Sequence, residues 1–353
     1  MEKEKRYLAL IYGALLLSVI VVGLGAYTRL TEAGLGCPDW PGCYGFLTVP
    51  HSEEKIAKAT EAFPHAPVEV HKAWNEMIHR YVAGTLGLVI AAIAVLAWRV
   101  PGRYRLLPTL LVGVVCFQAA LGMWTVTMNL MPVVVMGHLL GGFTTVTLLF
   151  LLALMERRRI DSTIQQDGDA AGRPAIGGKL KALSLAALLA VVMQIALGGW
   201  TSANYAALVC TQLPVCEVDW VEKYDLDAFH PVSPENHTYQ YGVLGFDQRV
   251  TIHATHRLGA MLVTALVLLL AVAVKKPLGS GVSWMLGAAL ALQITLGVTN
   301  VVAYLPLPVA VAHNLGGLLL LLVTVRTVLG VFSSQFVPSG ASSFRDTGRL
   351  SHG

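Results

Sequence analysis

Four histidines stand out because each lies inside a long apolar run, where an ionisable side chain is expensive to keep and is there for a reason. They are His79, His138, His256 and His313. Pro132 and Pro308 stand just before the second and fourth, which sets those rings roughly 7–9 Å below the start of a helix rising 1.5 Å per residue. Imidazoles facing each other at one depth on neighbouring helices suit the two axial positions of a haem iron. Glycines follow within a few residues at Gly84, Gly141, Gly259 and Gly316, and are expected to leave room for a flat macrocycle. Hydrogen bonding between helices and a proton path are the plainer uses of such histidines. Zinc is a poorer match, because its sites usually draw three or four ligands at closer spacing.

A second chemical feature separates the two ends of the chain. The first histidine sits in Glu76-x-x-His79-Arg80, whereas the third sits in His253-x-x-His256-Arg257. Residues three apart share a helix face, so Glu76 lies one turn outward from His79, at the edge of any macrocycle that His79 ligates. Two similar sites, one with an acid at its rim, suggest that one holds a cofactor and the other a substrate. A plain helix-end pair with Arg80 is the simpler reading of Glu76. Arg80 and Arg257 are candidates for haem propionates through charge-assisted hydrogen bonds, or for interfacial anchors. His253 is a weaker ligand candidate, and His51, His65, His71, His230 and His237 fall in or beside polar loops.

The elements that carry these groups are membrane helices. The chain has 353 residues, 55% hydrophobic and 13% charged, about half the charged fraction of a soluble domain. Eight apolar runs, near 8–28, 74–98, 106–127, 132–155, 180–202, 251–274, 282–303 and 308–331, each reach the roughly 20 residues that cross a hydrocarbon core. Alternation suited to a barrel is absent, so the spans must be helices. The fold class is therefore an all-α membrane protein with eight transmembrane helices. The first span is read as retained, because its apolar stretch is longer than a typical signal peptide's.

Internal repetition organises those helices into two tandem pseudo-symmetric four-helix bundles. Leu24-Gly25-Ala26-Tyr27-Thr28 returns as Leu197-Gly198-Gly199-Trp200-Thr201; Cys37 and Cys43 return as Cys210 and Cys216; Gln118-x-x-Leu121-Gly122 returns as Gln293-x-x-Leu296-Gly297. The domains read as 1–155, a linker at 156–178 opening with Glu156-Arg157-Arg158-Arg159, a second bundle at 179–331, and a disordered tail at 332–353. Gln118, Gln194 and Gln293 share a helix position and are expected to hydrogen-bond between helices. Trp124 and Trp200 are expected in an aromatic belt at the outer surface.

Lys and Arg concentrate in the N-terminal segment, the linker and the short loops at Arg99–Arg105 and Lys275-Lys276. Both termini are therefore placed in the cytoplasm and the long loops outside. The formal charge of +4 points to no nucleic-acid partner. Both Cys-x5-Cys pairs then sit in an oxidising compartment, where Cys37–Cys43 and Cys210–Cys216 disulfides are expected. A structural staple is the simpler reading, and a redox relay at the first pair the other. Cys116 is read as core packing.

Tandem four-helix halves, Glu-x-x-His-Arg opening the second helix, single histidines on helices four, six and eight, paired loop cysteines and the stretch from Thr28 to Cys43 together resemble the haem A synthase family, in its cysteine-containing bacterial type. The likeness covers roughly residues 8–331. It implies oxidation of the C8 methyl of haem O to a formyl group by two successive hydroxylations, giving haem A for terminal oxidase assembly. It also implies a haem b cofactor on His256 and His313, the substrate haem O on His79 and His138, and Glu76 as the catalytic group. A bacterial cell membrane follows, as do a haem O synthase and oxidase assembly factors as partners, with a homo-oligomer left open. Two rivals also explain four histidines: a di-haem b-type cytochrome passing electrons between quinone and an outer acceptor, and a membrane haem carrier. The first does not account for an acid in one half only, and the second needs weak, exchangeable ligation in at least one half.

Overall fold

Lipid offers no hydrogen-bond partner to the backbone, so each apolar run must satisfy its own peptide groups as a helix. The computed structural model describes residues 2–164 and 176–333. Its eight long apolar helices are α1 (Glu2–Leu30), α3 (Val70–Arg99), α4 (Leu106–Thr127), α5 (Pro132–Ile164), α6 (Gly178–Ala203), α7 (Phe246–Leu278), α8 (Ser280–Val302) and α9 (Leu307–Ser333). A short helix, α2 (Glu53–Ala62), and a 3₁₀ turn, Leu226–Phe229, lie in the two long loops. Neither was expected. The ten residues of α2 are polar, and Ser52 caps them by accepting from the Lys55 N–H.

Neighbour relations repeat between the halves. Helix α1 packs on α3, α3 on α4, α4 on α5 and α5 back on α1; helices α6, α7, α8 and α9 close a ring in the same order. The halves meet where α5 lies on α6 and α1 on α9. Gly199 lets α6 come close to α5, because a Cβ there would sit 2.9 Å from Leu139 and 3.4 Å from Met136. The backbone repeats as well. Glu32 and Tyr205 take positive φ at the ends of α1 and α6, and Asn129-Leu130 and Tyr304-Leu305 do so in the outer turns after α4 and α8.

Apolar side chains fill the inner part of each ring. Ile11, Leu86, Ile90, Ile93, Leu111, Leu149 and Leu152 form the first core. Val263, Val267, Leu270, Leu286, Leu290, Leu320 and Leu321 belong to the second. On the histidine helices α3, α5, α7 and α9 these core residues lie further along the chain than the histidines, so the cores make a floor beneath the candidate sites.

Several boundaries differ from the sequence reading. Helix α5 continues through 156–164 where a linker was expected, because Glu156 is fully buried and pairs with Arg159 at 2.8 Å. Arg159 also bonds Glu4, whose other oxygen lies 3.6 Å from Arg103. These pairs tie α1, the α3–α4 turn and α5 together at the inner end. Helix α6 begins at Gly178, and α9 reaches Ser333, inside the expected tail. The rest of the expected linker at 165–175 and of the tail at 334–353 lies outside the described residues. Trp200 is buried rather than in a belt, and its Nε1 donates to the Ala228 carbonyl at 2.9 Å.

Candidate functional site: four histidines beneath two clamped loops

Antiparallel neighbours bring each histidine against a glycine of the preceding helix. The Cε1 edge of His79 faces Gly25, that of His138 faces Gly122, that of His256 faces Gly198 and that of His313 faces Gly297. A Cβ at those glycines would lie 3.0, 3.4, 3.2 and 3.1 Å from the ring carbon, respectively. These are the glycines of the repeated Leu-Gly motifs, so the repeat marked the backing of each ring without showing what it backed. The glycines that follow the histidines do something else. Gly141, Gly259 and Gly316 seat the side chains of Gln118, Gln194 and Gln293, and only Gly84 has open space beside it.

His79 and His138 face each other across the first ring. Their centroids are 6.4 Å apart and their planes cross at 85°. Two imidazoles on opposite faces of one metal, with metal–nitrogen bonds of about 2 Å, place their centroids about 6 Å apart. The pair therefore fits a six-coordinate haem iron. The buried rings of His79, His138 and His313 meet the backbones of Val21, Gln118 and Gln293, respectively, an arrangement that holds one ring nitrogen and leaves the other for a metal. In the second ring His256 Nδ1 lies 3.0 Å from Gln194 Nε2. No group of three or more His, Cys, Asp or Glu able to hold a metal ion occurs among the described residues.

Above each histidine pair sits a disulfide loop held by an arginine. Cys37–Cys43 and Cys210–Cys216 are both formed. Arg80 Nη1 donates to the carbonyls of Asp39 (3.0 Å), Pro41 (3.3 Å) and Gly42. Arg257 likewise donates from Nη1 to the Gln212 and Val215 carbonyls and from Nη2 to that of Cys210. These donors were candidates for haem propionates or for interfacial anchors; a propionate would have to share them with the loop. The arginines instead dock each loop onto the helix below it.

What the arginine holds beside the loop differs. Glu76 is 5% exposed; its Oε1 accepts from Arg80 Nη2 at 2.6 Å and its Oε2 from the Cys37 N–H at 2.9 Å. His253 takes the matching position, and its Nε2 accepts from Arg257 Nε at 3.1 Å. The first loop lies hard against α3: a Cβ on Gly36 would come within 2.6–2.8 Å of the Lys72–Ala73 backbone. Cys37 and Cys43 are both fully buried. In the second loop Cys210 is buried and Cys216 partly exposed.

Loop carboxylates finish each clamp. Asp39 accepts from the Tyr44 and Gly45 N–H groups at 2.5 and 2.8 Å. Glu217 accepts from the Thr211 N–H and hydroxyl and from the Gln212 N–H. Hydrogen bonds from its own N–H and from Thr211 and Gln212 hold the Glu217 carboxyl down at about 2. Burial, helped by Glu69, Glu76 and Asp39, pushes the Tyr44 hydroxyl up to about 12, and that hydroxyl donates to the Pro67 carbonyl. Across the seam Arg29 bonds the Tyr205 hydroxyl and the Ser202 carbonyl, both at 2.7 Å, joining the outer ends of the halves. Sequence reasoning missed Asp39 and Glu217, because their partners come from the loop fold, and Arg29, because its partners come from the other half of the chain.

The class defined so far is a multi-pass helical membrane protein with paired histidines suited to haem iron. Residues 8–325 match the model of the COX15-CtaA family of cytochrome oxidase assembly proteins. The chain is 47% identical over 321 residues to the haem A synthase of Shewanella oneidensis, covering 89% of this chain and 93% of that protein. It is 26% identical over 336 residues to the haem A synthase of Sphingopyxis alaskensis, covering 90% of each, and 26% over 330 residues to that of Rhizorhabdus wittichii, covering 88% and 89%. The chain belongs to the COX15-CtaA family.

Proposed function

We propose that this protein is a haem A synthase, an oxidoreductase that converts the C8 methyl of haem O into a formyl group. The observation that carries this reading is a buried carboxylate beside one histidine pair: Glu76 lies one turn outward from His79, and the other half has His253 in its place. His79 and His138 hold the substrate haem, and His256 and His313 hold a resident haem of the b type. That resident group supplies one-electron transfer away from the substrate. The long loops face outward and both ends inward, as the lysine and arginine distribution requires.

Glu76 acts on the substrate methyl. Removing two electrons and one proton from that carbon leaves a cation conjugated to the ring; water adds to it and loses a proton, giving the alcohol. A second round gives the gem-diol, which loses water to become the aldehyde. Four electrons and four protons leave in all. The carboxylate stabilises the cation and accepts the proton of the attacking water. Arg80 and the Cys37 N–H hold it in one orientation, so little reorganisation is needed at the moment of reaction. The docked loop lies over the carboxylate and keeps bulk water from it.

The test is extraction of haems from cells making the intact protein together with a haem O synthase. Haem A is expected. Haem O recovered unchanged would put a b-type cytochrome or a haem carrier in its place.

A further inference from the structure

Three of the four histidines share a device that the fourth lacks. One turn before the glycine that backs each of these rings stands a glutamine: Gln118 before Gly122, Gln194 before Gly198, Gln293 before Gly297. Each side chain crosses to the histidine helix. Gln118 Nε2 donates to the His138 carbonyl at 2.9 Å, and Gln194 Nε2 to the His256 carbonyl at 2.8 Å. Gln293 Nε2 lies 3.4 Å from His313 Nε2. At the other end of each amide the oxygen sits over the glycine three residues past the histidine. A Cβ on Gly141, Gly259 or Gly316 would stand only 2.2, 2.3 or 2.4 Å from it. All three oxygens are buried without a hydrogen-bond partner among the described residues, so each amide is held by its nitrogen and by the shape of a cleft that only glycine provides.

At His79 both parts are missing. Val21 stands where the glutamine would be, one turn before Gly25, and Val82 where the second glycine would be. The ring keeps its glycine backing and the Val21 backbone as a partner, but has no amide across it.

We propose that Gln118, Gln194 and Gln293 are positioning residues that fix His138, His256 and His313, and that His79 is the axial ligand released when the substrate haem enters and leaves. This rests on assigning the substrate to the first half. Partners that orient a metal-bound histidine change metal affinity by roughly 10–100-fold when removed. One unclamped ligand facing a clamped one lets a haem be exchanged while its seat on His138 stays in place. Two clamped ligands keep a resident haem.

The experiment follows haem leaving the full-length protein in lipid nanodiscs, purified from cells that make haem O, after excess apomyoglobin is added as acceptor. Absorbance gives the rates, and extraction identifies which haem moved. Wild-type protein should release haem O and its product haem A in a fast phase and haem b in a slow one. Val21→Gln with Val82→Gly should slow the fast phase roughly 10–100-fold. Gln194→Val and Gln293→Val should speed the slow phase by a similar factor, and should change the paramagnetic resonance spectrum of the resident ferric haem as its rings lose their fixed orientation. Unchanged rates and spectra in the Gln194 and Gln293 variants would overturn the proposal, and so would an unchanged fast phase in a folded Val21/Val82 variant. The site assignment is read separately: a fast phase abolished by His256→Ala but kept by His79→Ala would mean the halves are exchanged, whatever the clamps do.

Discussion

The two outer rims are built alike up to one residue. Arg80 and Arg257 each reach up from a histidine helix and take the carbonyls of a disulfide loop whose cysteines lie six positions apart. Beside Arg80 sits a buried carboxylate, and beside Arg257 sits His253. The first loop is pressed onto α3 with both cysteines enclosed; the second leaves Cys216 partly open. The clamp is thus a structural feature common to both halves, which differ in the residue placed next to it. The comparison also bears on the first disulfide. A redox relay was one reading of Cys37–Cys43, but the bond is enclosed, and the Cys37 N–H orients Glu76. A positioning role follows from that contact.

Glu76→Gln and His253→Gln separate the rims most strongly. The first should lower haem A formation by about 10²–10⁴-fold, the range for losing a positioned acid or base. The second should leave the rate within a few fold. Equal losses in single-turnover assays would erase the distinction.

Arg80→Gln and Arg257→Gln come next. Removing Arg80 strands a buried carboxylate and should cost about 3–5 kcal/mol. Removing Arg257 strands carbonyls beside a histidine that carries no obligatory charge, and should cost about 1–3 kcal/mol. Thermal unfolding in one detergent ranks the two, and a larger loss for Arg257→Gln would show that Glu76 is not paired as described.

Smaller effects test the loops. A water-soluble phosphine should reduce Cys210–Cys216 before Cys37–Cys43, because only the former exposes a cysteine; thiol labelling and mass spectrometry give the order. Glu217 offers a pH test. Its folded value, about 2, lies below its ordinary 4.5, so the stabilisation is complete above about pH 4.5 and is lost as pH falls toward 2. Amide exchange in the second loop should rise over that window in wild-type protein, and should not change with pH there in Glu217→Gln.

Much of this was legible in the residues alone. The eight spans, the four histidines, both cysteine pairs and the lone Glu76 follow from period, repeat and spacing, and those signals survive folding because helix geometry is local. The glutamines were visible as a repeated position, but their seats were not: Gly141, Gly259 and Gly316 looked like room for a macrocycle, and only the packing shows them filled by amides. The loop partners of the arginines were not legible for a related reason. A guanidinium near a haem suggests a propionate, while its partners here are loop carbonyls placed by a fold that no helix period reports. Residues 156–164 read as a linker because they are charged; burial of Glu156 against Arg159 makes them helix.

The most direct measurement of the central claim is the haem content of purified His79→Ala and His256→Ala proteins from cells that make haem O. The account predicts that His256→Ala loses haem b and keeps haem O, and that His79→Ala keeps haem b and loses haem O and haem A. Loss of the same haem from both variants, or the opposite pairing, would contradict it.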